Sequence, residues 1–133
     1  MSYTLDTNLC IVYLNGRNPQ IVEKLSRIPA QEITVCSVVR AELFTGAEKS
    51  QLPNRTMEKY VRFLLPYKTL AFDDNAAAHY GRIRATLEQA GTPIGPLDML
   101  IAAIALANDL TLVTHNTREF IRVPNLKLED WQD

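Results

Sequence analysis

Gly95-Pro96-Leu97-Asp98-Met99-Leu100-Ile101-Ala102-Ala103-Ile104-Ala105-Leu106-Ala107 is the stretch that decides the fold. Proline fits the first position of a helix, where its missing N–H costs nothing, and Gly95 then stands at the cap. Beyond Asp98 the run has no polar side chain until Asn108. A helix that is apolar nearly all round has to be buried, and this one falls far short of the roughly 20 residues of a membrane span. Outward from it, short strand-like runs alternate with helical patterns. Strands are expected at 3–5, 33–36, 69–72, 111–114 and 126–128. Helices are expected at 8–14, 19–27, 37–49, 53–65 and 73–91. Asn18-Pro19 and Asp73-Asp74 supply starts, Asn15-Gly16 and Gly91 supply stops, and Ser37 is expected to cap its helix. Alternation of this kind predicts an α/β fold, with a central parallel sheet flanked by helices on both faces.

The bulk numbers agree with one such domain over residues 1–133. Hydrophobic residues make up 47% of the 133, enough for a real core, and charged residues 22%. A net charge of −1 excludes a polycation, so nucleic-acid binding would need a local basic face, for which 14 lysines and arginines are present. Cys10 and Cys36 lie in apolar surroundings, outside any CxxC pair, and read as buried reduced thiols. The opening Met-Ser-Tyr-Thr-Leu-Asp lacks a basic start and an apolar core, so no signal peptide, no membrane and a cytoplasmic location are expected.

The chemistry resides in acids at awkward places. Asp6 ends the run Tyr3-Thr4-Leu5, Glu42 sits among Val38, Val39, Ala41, Leu43 and Phe44, and Asp98 opens the buried helix. Carboxylates are almost never fully buried unless paired, protonated or metal-bound. In open α/β sheets ligands bind outside the carboxyl ends of the strands, and Asp6, Ser37 with Glu42's helix, and Asn116 all follow strands. If the acids meet, their repulsion demands a cation, which points to a divalent-metal site and phosphate chemistry. Each residue also has a plainer reading: Asp6, Thr7 or Asn8 as a helix cap, Glu42 as a surface residue, Asp98 as a first-turn acid, Asn116 as a turn. Asn116 and Glu119 are candidates for a further oxygen donor, with Asn8 and Thr114 as auxiliary groups. His115 reads as an exposed loop residue and His79 as structural. Arg40, Arg82, Arg84, Arg118 and Arg122 could line a phosphate track, or form solvated faces. No P-loop, dinucleotide-binding glycine motif or nucleophile elbow is present.

Leu5-Asp6-Thr7-Asn8, Ser37-Val38-Val39-Arg40-Ala41-Glu42-Leu43, Gly95-Pro96-Leu97-Asp98-Met99-Leu100-Ile101-Ala102 and Leu112-Val113-Thr114-His115-Asn116 together resemble the PIN-domain ribonucleases, in particular the VapC toxins of VapBC type II toxin–antitoxin systems. The tail around Arg118-Glu119-Phe120, Val123-Pro124 and Glu129-Asp130-Trp131 looks like the same group, so the resemblance runs over essentially the whole chain. It implies a PIN-like parallel α/β sandwich and endoribonuclease activity dependent on Mg²⁺ or Mn²⁺, with structured RNA, often tRNA, as substrate. It implies a homodimer, a cognate VapB antitoxin that assembles with it and blocks its site, and contact with operator DNA only through that antitoxin. Asp6, Glu42 and Asp98 match the family's three core acids as catalytic and metal-holding residues. Many members carry a fourth acid where this chain has Asn116, a departure that puts the fourth ligand or a second metal in question. Three other readings compete, one of them a DNA-acting nuclease of the same fold, because the acids do not read sugar chemistry. A phosphatase with Asp6 as nucleophile needs a second acid two residues on, where Asn8 stands. A catalytically impaired module that only binds RNA or a partner would have Asn116 as its scar.

Overall fold

A computed structural model describes residues 2–132; Met1 and Asp133 lie outside the described residues. Five strands form one sheet in the order β3-β2-β1-β4-β5, every neighbouring pair parallel. They are β1 (Tyr3–Leu5), β2 (Ile33–Cys36), β3 (Lys68–Leu70), β4 (Thr111–Val113) and β5 (Lys127–Glu129). The helices are α1 (Thr7–Asn15), α2 (Pro19–Arg27), α3 (Ser37–Glu48), α4 (Pro53–Leu64), α5 (Asp74–Gln89), α6 (Pro96–Ala107) and α7 (Thr117–Phe120). The order reverses between β1 and β4, and such a reversal opens a crevice at the carboxyl ends of the two strands.

Strand β1 is central, and its Thr4 and Leu5 are buried. Thr4 donates its hydroxyl to the Thr34 carbonyl (3.3 Å) while Thr34 donates to the Tyr3 carbonyl (3.1 Å), which stitches β1 to β2 beyond the ladder itself. Helix α6 is buried through Met99 and Ile101–Ala105, and it packs against α5. Its alanines present little bulk, so neighbouring elements approach closely at low side-chain entropy cost. Phe63 packs between Tyr13 and Tyr67, with ring centroids 5.1 and 5.6 Å away, which places the inner face of α4 in the core. Val61 and Leu65 of the same region face solvent.

Most expected elements are present, with shifts at their ends. The third strand lies at Lys68–Leu70 rather than 69–72, and the last at Lys127–Glu129 rather than 126–128. Ser37 is the first residue of α3 and not its cap; Cys36 occupies the cap with no side-chain hydrogen bond. Helix α7 lies in the segment read as an Asn turn. The glycine stop after α5 is as expected: Gly91 adopts φ 71°, its N–H donates to Glu88 O, and the Thr92 N–H reaches Leu87 O. Cys10 and Cys36 are both buried and free, with burial pushing each thiol up. Among the described residues no helix is long and apolar enough to cross a membrane.

Candidate active site

Strand register places the first acid. Strand β1 aligns Tyr3, Thr4 and Leu5 with Thr111, Leu112 and Val113 of β4. The Asp6 N–H donates to Val113 O (3.1 Å) and the Thr114 N–H to Glu129 O (2.9 Å), so the ladders run one residue past the strands. Asp6 and Thr114 therefore emerge side by side at the crevice. The Thr114 hydroxyl donates to Asp6 Oδ2 at 2.5 Å, and the Leu9 N–H donates to Asp6 Oδ1 at 2.8 Å. Asp6 is thus the N-cap of α1, as the plainer reading had it, and a buried acid, 5% exposed, at the sheet edge as well. Burial pushes its carboxyl up, the two hydrogen bonds pull it down, and Glu42 and Asp130 push it up further.

Three more acids share this edge. Glu42, half-buried in the second turn of α3, accepts the Thr7 hydroxyl at 2.6 Å. Asp98 lies half-buried in the first turn of α6. Its carboxyl is pushed up to about 6, by burial first and then by Glu119, Glu42 and Asp6. Glu119, in the first turn of α7, accepts from the Asn116 amide at 3.1 Å. Asn116 in turn donates its backbone N–H to the Thr114 hydroxyl at 3.0 Å. One connected set of hydroxyl, amide and carboxylate groups therefore joins the ends of β1 and β4 to the start of α7.

Among the described residues, no positively charged side chain offsets the repulsion at Asp6 or Asp98. Arg40, a candidate for a phosphate track, points elsewhere: it donates to Val35 O (3.1 Å) and Tyr67 O (2.9 Å) and ties β2 to the turn before β3. Arg84 is held by Glu88 and the Tyr80 hydroxyl, both at 2.9 Å, so it too departs from the expected track. Arg82 lines a separate cavity. Arg118 and Asn8 are exposed. Among the described residues no three His, Cys, Asp or Glu side chains close into a ready-made metal cage. The acids present hard oxygen donors held apart, an arrangement that suits a cation retaining several of its waters. A cleft of about 320 Å³ opens beside Glu42, walled by Val38, Ala41, Leu97 and Leu100.

Residues 3–126 match the family described as PIN domain. The chain belongs to the PIN-domain family. This PIN domain is similar to the tRNA(fMet)-specific endonuclease VapC of Shigella flexneri, 40% identical over 131 residues and covering 98% of each chain. It is similar to ribonuclease VapC2 of Rickettsia felis, 39% identical over 132 residues with 98% of each covered. Among solved structures it superposes on a chain of DNA-bound VapBC from Salmonella typhimurium with a TM-score of 0.93, 38% identity and 98% of both chains covered. The PIN domain thus falls within the VapC group of that family.

In the PIN domain a second acid acting on the buried aspartate, Asp130, was not among the site residues expected from sequence. Asp130 acts electrostatically on Asp6, binds His115 Nδ1 at 2.9 Å through Oδ2 and accepts the Gln132 N–H at 2.9 Å through Oδ1. His115 is exposed, as expected, yet it is held to the acid edge by this carboxylate. The signal available was a polar Glu129-Asp130 pair at the carboxyl end of a strand, the position where the sheet rule looks for function.

Proposed function

We propose that this chain is a Mg²⁺-dependent endoribonuclease toxin that hydrolyses phosphodiester bonds of structured RNA, with tRNA as the expected class. The observation that carries the reading is the gathering of Asp6, Glu42, Asp98 and Glu119 at the switch point of the sheet, where burial first, and then the other three carboxylates, push Asp98 up to about 6. Acids that oppose one another's ionisation at a ligand-binding edge need a compensating positive charge, and structural reasons alone do not collect them there.

Asp6, Glu42 and Asp98 are the residues that would hold Mg²⁺, with Mn²⁺ as a substitute, and Glu119 or the Asn116 carbonyl would complete the donors. When bound, such an ion lowers the pKa of water and neutralises charge on a phosphate undergoing substitution. The chain's own groups do the rest. Thr114 and the α1 N-terminus fix the Asp6 carboxylate, and Thr7 fixes Glu42. Glu42 is placed to orient a water and accept its proton, because Thr7 occupies only one of its two oxygens. The Asn116 amide takes the place of a fourth acid and holds the Glu119 carboxylate in position. A phosphatase with Asp6 as nucleophile is disfavoured. Both of its oxygens already accept hydrogen bonds, which lowers their nucleophilicity, and Asn8 is exposed in place of the required acid.

The partners proposed are a VapB antitoxin that inhibits the site and a second copy of the chain. DNA would be contacted only through the antitoxin, which is how a DNA-bound VapBC structure supports the reading. The deciding experiment is cleavage of purified total RNA by antitoxin-free protein with Mg²⁺, Mn²⁺ or EDTA, beside Asp6→Ala and Asp98→Ala. A discrete cut that needs the metal and is lost in both variants is expected. Folded protein that cuts nothing in any condition would replace this reading with the impaired binding module.

A further inference from the structure

A second concave site lies away from the carboxylates. Its volume is about 250 Å³, and it forms between α5, the last turn of α6 and the chain just before β5. His79, Arg82 and Thr86 line it from one face of α5, at the i, i+3 and i+7 spacing that stacks side chains along a helix. Asn125 faces them across the opening, and Ile83 and Leu106, both on the helix-packed side, give it apolar walls. No carboxylate lines it. Among the described residues the side chains of Arg82 and His79 have no hydrogen-bond or ion-pair partner, whereas Arg84 one turn-fraction away is held by Glu88 and Tyr80.

We infer that this cavity binds a phosphate group, with Arg82 and His79 as the phosphate contacts. Thr86 and Asn125 supply further polar partners, and Ile83 with Leu106 accommodates the sugar or base attached to the phosphate. The chemistry is that of an arginine fork, whose parallel N–H groups match two phosphate oxygens. An uncommitted guanidinium in a concavity free of acids has an anion as its natural complement, and the apolar walls favour an organic phosphate over a bare ion. None of the lining residues belongs to the acid edge, so the site stands independently of the ribonuclease reading. Two sources carry this chemistry: the backbone of an RNA whose cut site lies elsewhere, and a free nucleoside monophosphate.

The test uses the full chain in EDTA, so that no cleavage enters the result. NMR of the His79 ring and Arg82 guanidinium is followed while adenosine 5′-monophosphate, inorganic phosphate or phosphate-free adenosine is added. Both groups are expected to shift with the monophosphate and not with adenosine, and Arg82→Gln or His79→Gln is expected to weaken binding at least about tenfold. The salt dependence of tRNA binding then separates the sources. For RNA backbone, the slope of log K against log salt falls by about 0.9 in Arg82→Gln. For a free nucleotide that slope is unchanged while monophosphate binding is lost. Overturning results are an absence of shift at His79 and Arg82 with any of these ligands, or binding that survives both substitutions in protein with a folded spectrum. Either leaves the carboxylate site and its RNA assay untouched.

Discussion

The Thr114 hydroxyl and Asp6 Oδ2 are 2.5 Å apart, joining residues separated by 108 positions in sequence. This bond closes the switch point of the sheet, because each partner stands one residue beyond its strand. It also serves twice, since the same Thr114 oxygen accepts the Asn116 N–H at 3.0 Å. Thr114→Val keeps the shape and removes both functions. It is expected to cost about 1–3 kcal/mol in urea unfolding, the range for a buried bond to a charged group. RNA cleavage should fall at least about tenfold, and Thr114→Ser should restore most of both. Equal loss of activity in the serine variant would show that the methyl group, and not the hydroxyl, is what matters.

Asp98 sets a pH dependence of stability. Its folded value is about 6 against the ordinary 3.8. Below 3.8 the group is protonated folded and unfolded, and contributes no difference. Between 3.8 and 6 the unfolded chain has released a proton that the folded chain retains, so stability falls as pH rises. Above 6 the penalty is constant. At about 1.4 kcal/mol per pH unit the gap amounts to roughly 3 kcal/mol; solvent reaches this half-buried group, so about 1–2 kcal/mol is expected in practice. Asp98→Asn should therefore be more stable than the parent by that amount at pH 8 in EDTA, and equal to it at pH 4. Loss of fold in this variant would assign Asp98 a structural role.

Divalent cations should reverse that penalty. A ligand that binds only the folded state stabilises it by about 2.7 kcal/mol at a hundred times its Kd. Mg²⁺ is expected to raise the melting temperature of the parent protein and not of Asp98→Asn, and EDTA should return the parent to its starting value. An equal rise in both would place the ion elsewhere.

Arg40 is expected to behave as a structural residue. Its two donors hold Val35 O and Tyr67 O. Arg40→Gln should lose about 1–3 kcal/mol of stability, with no change in the salt dependence of RNA binding. A smaller salt slope at full stability would return Arg40 to the phosphate track.

What could be read from sequence was whatever is local. Asn18 before Pro19 does cap α2, its Oδ1 accepting the Ile21 N–H at 3.2 Å, and Gly95 before Pro96 stands where the buried helix begins. The acids were legible because a carboxylate in an apolar run conflicts with its surroundings, and that conflict needs no partner to be seen. The relations between them were not legible. Whether Asp6 lies beside Thr114 depends on strand order and register, and the coupling of Asp98 to Glu119 depends on a four-residue helix with no periodicity to announce it. The arginines misled for the opposite reason. Arg40 and Arg84 look alike in sequence, and only the backbone carbonyls and the Glu88 carboxylate around them reveal that both are already engaged.

Thr114 and Glu119 are made more than a hundred residues after Asp6. Central strand β1 gains its β4 neighbour only then, and long-range pairing of this kind is the slow part of folding. A nascent chain therefore carries an incomplete set of carboxylates until α7 has been made. The switch point of the sheet can therefore close only after both ends of this long separation have been made.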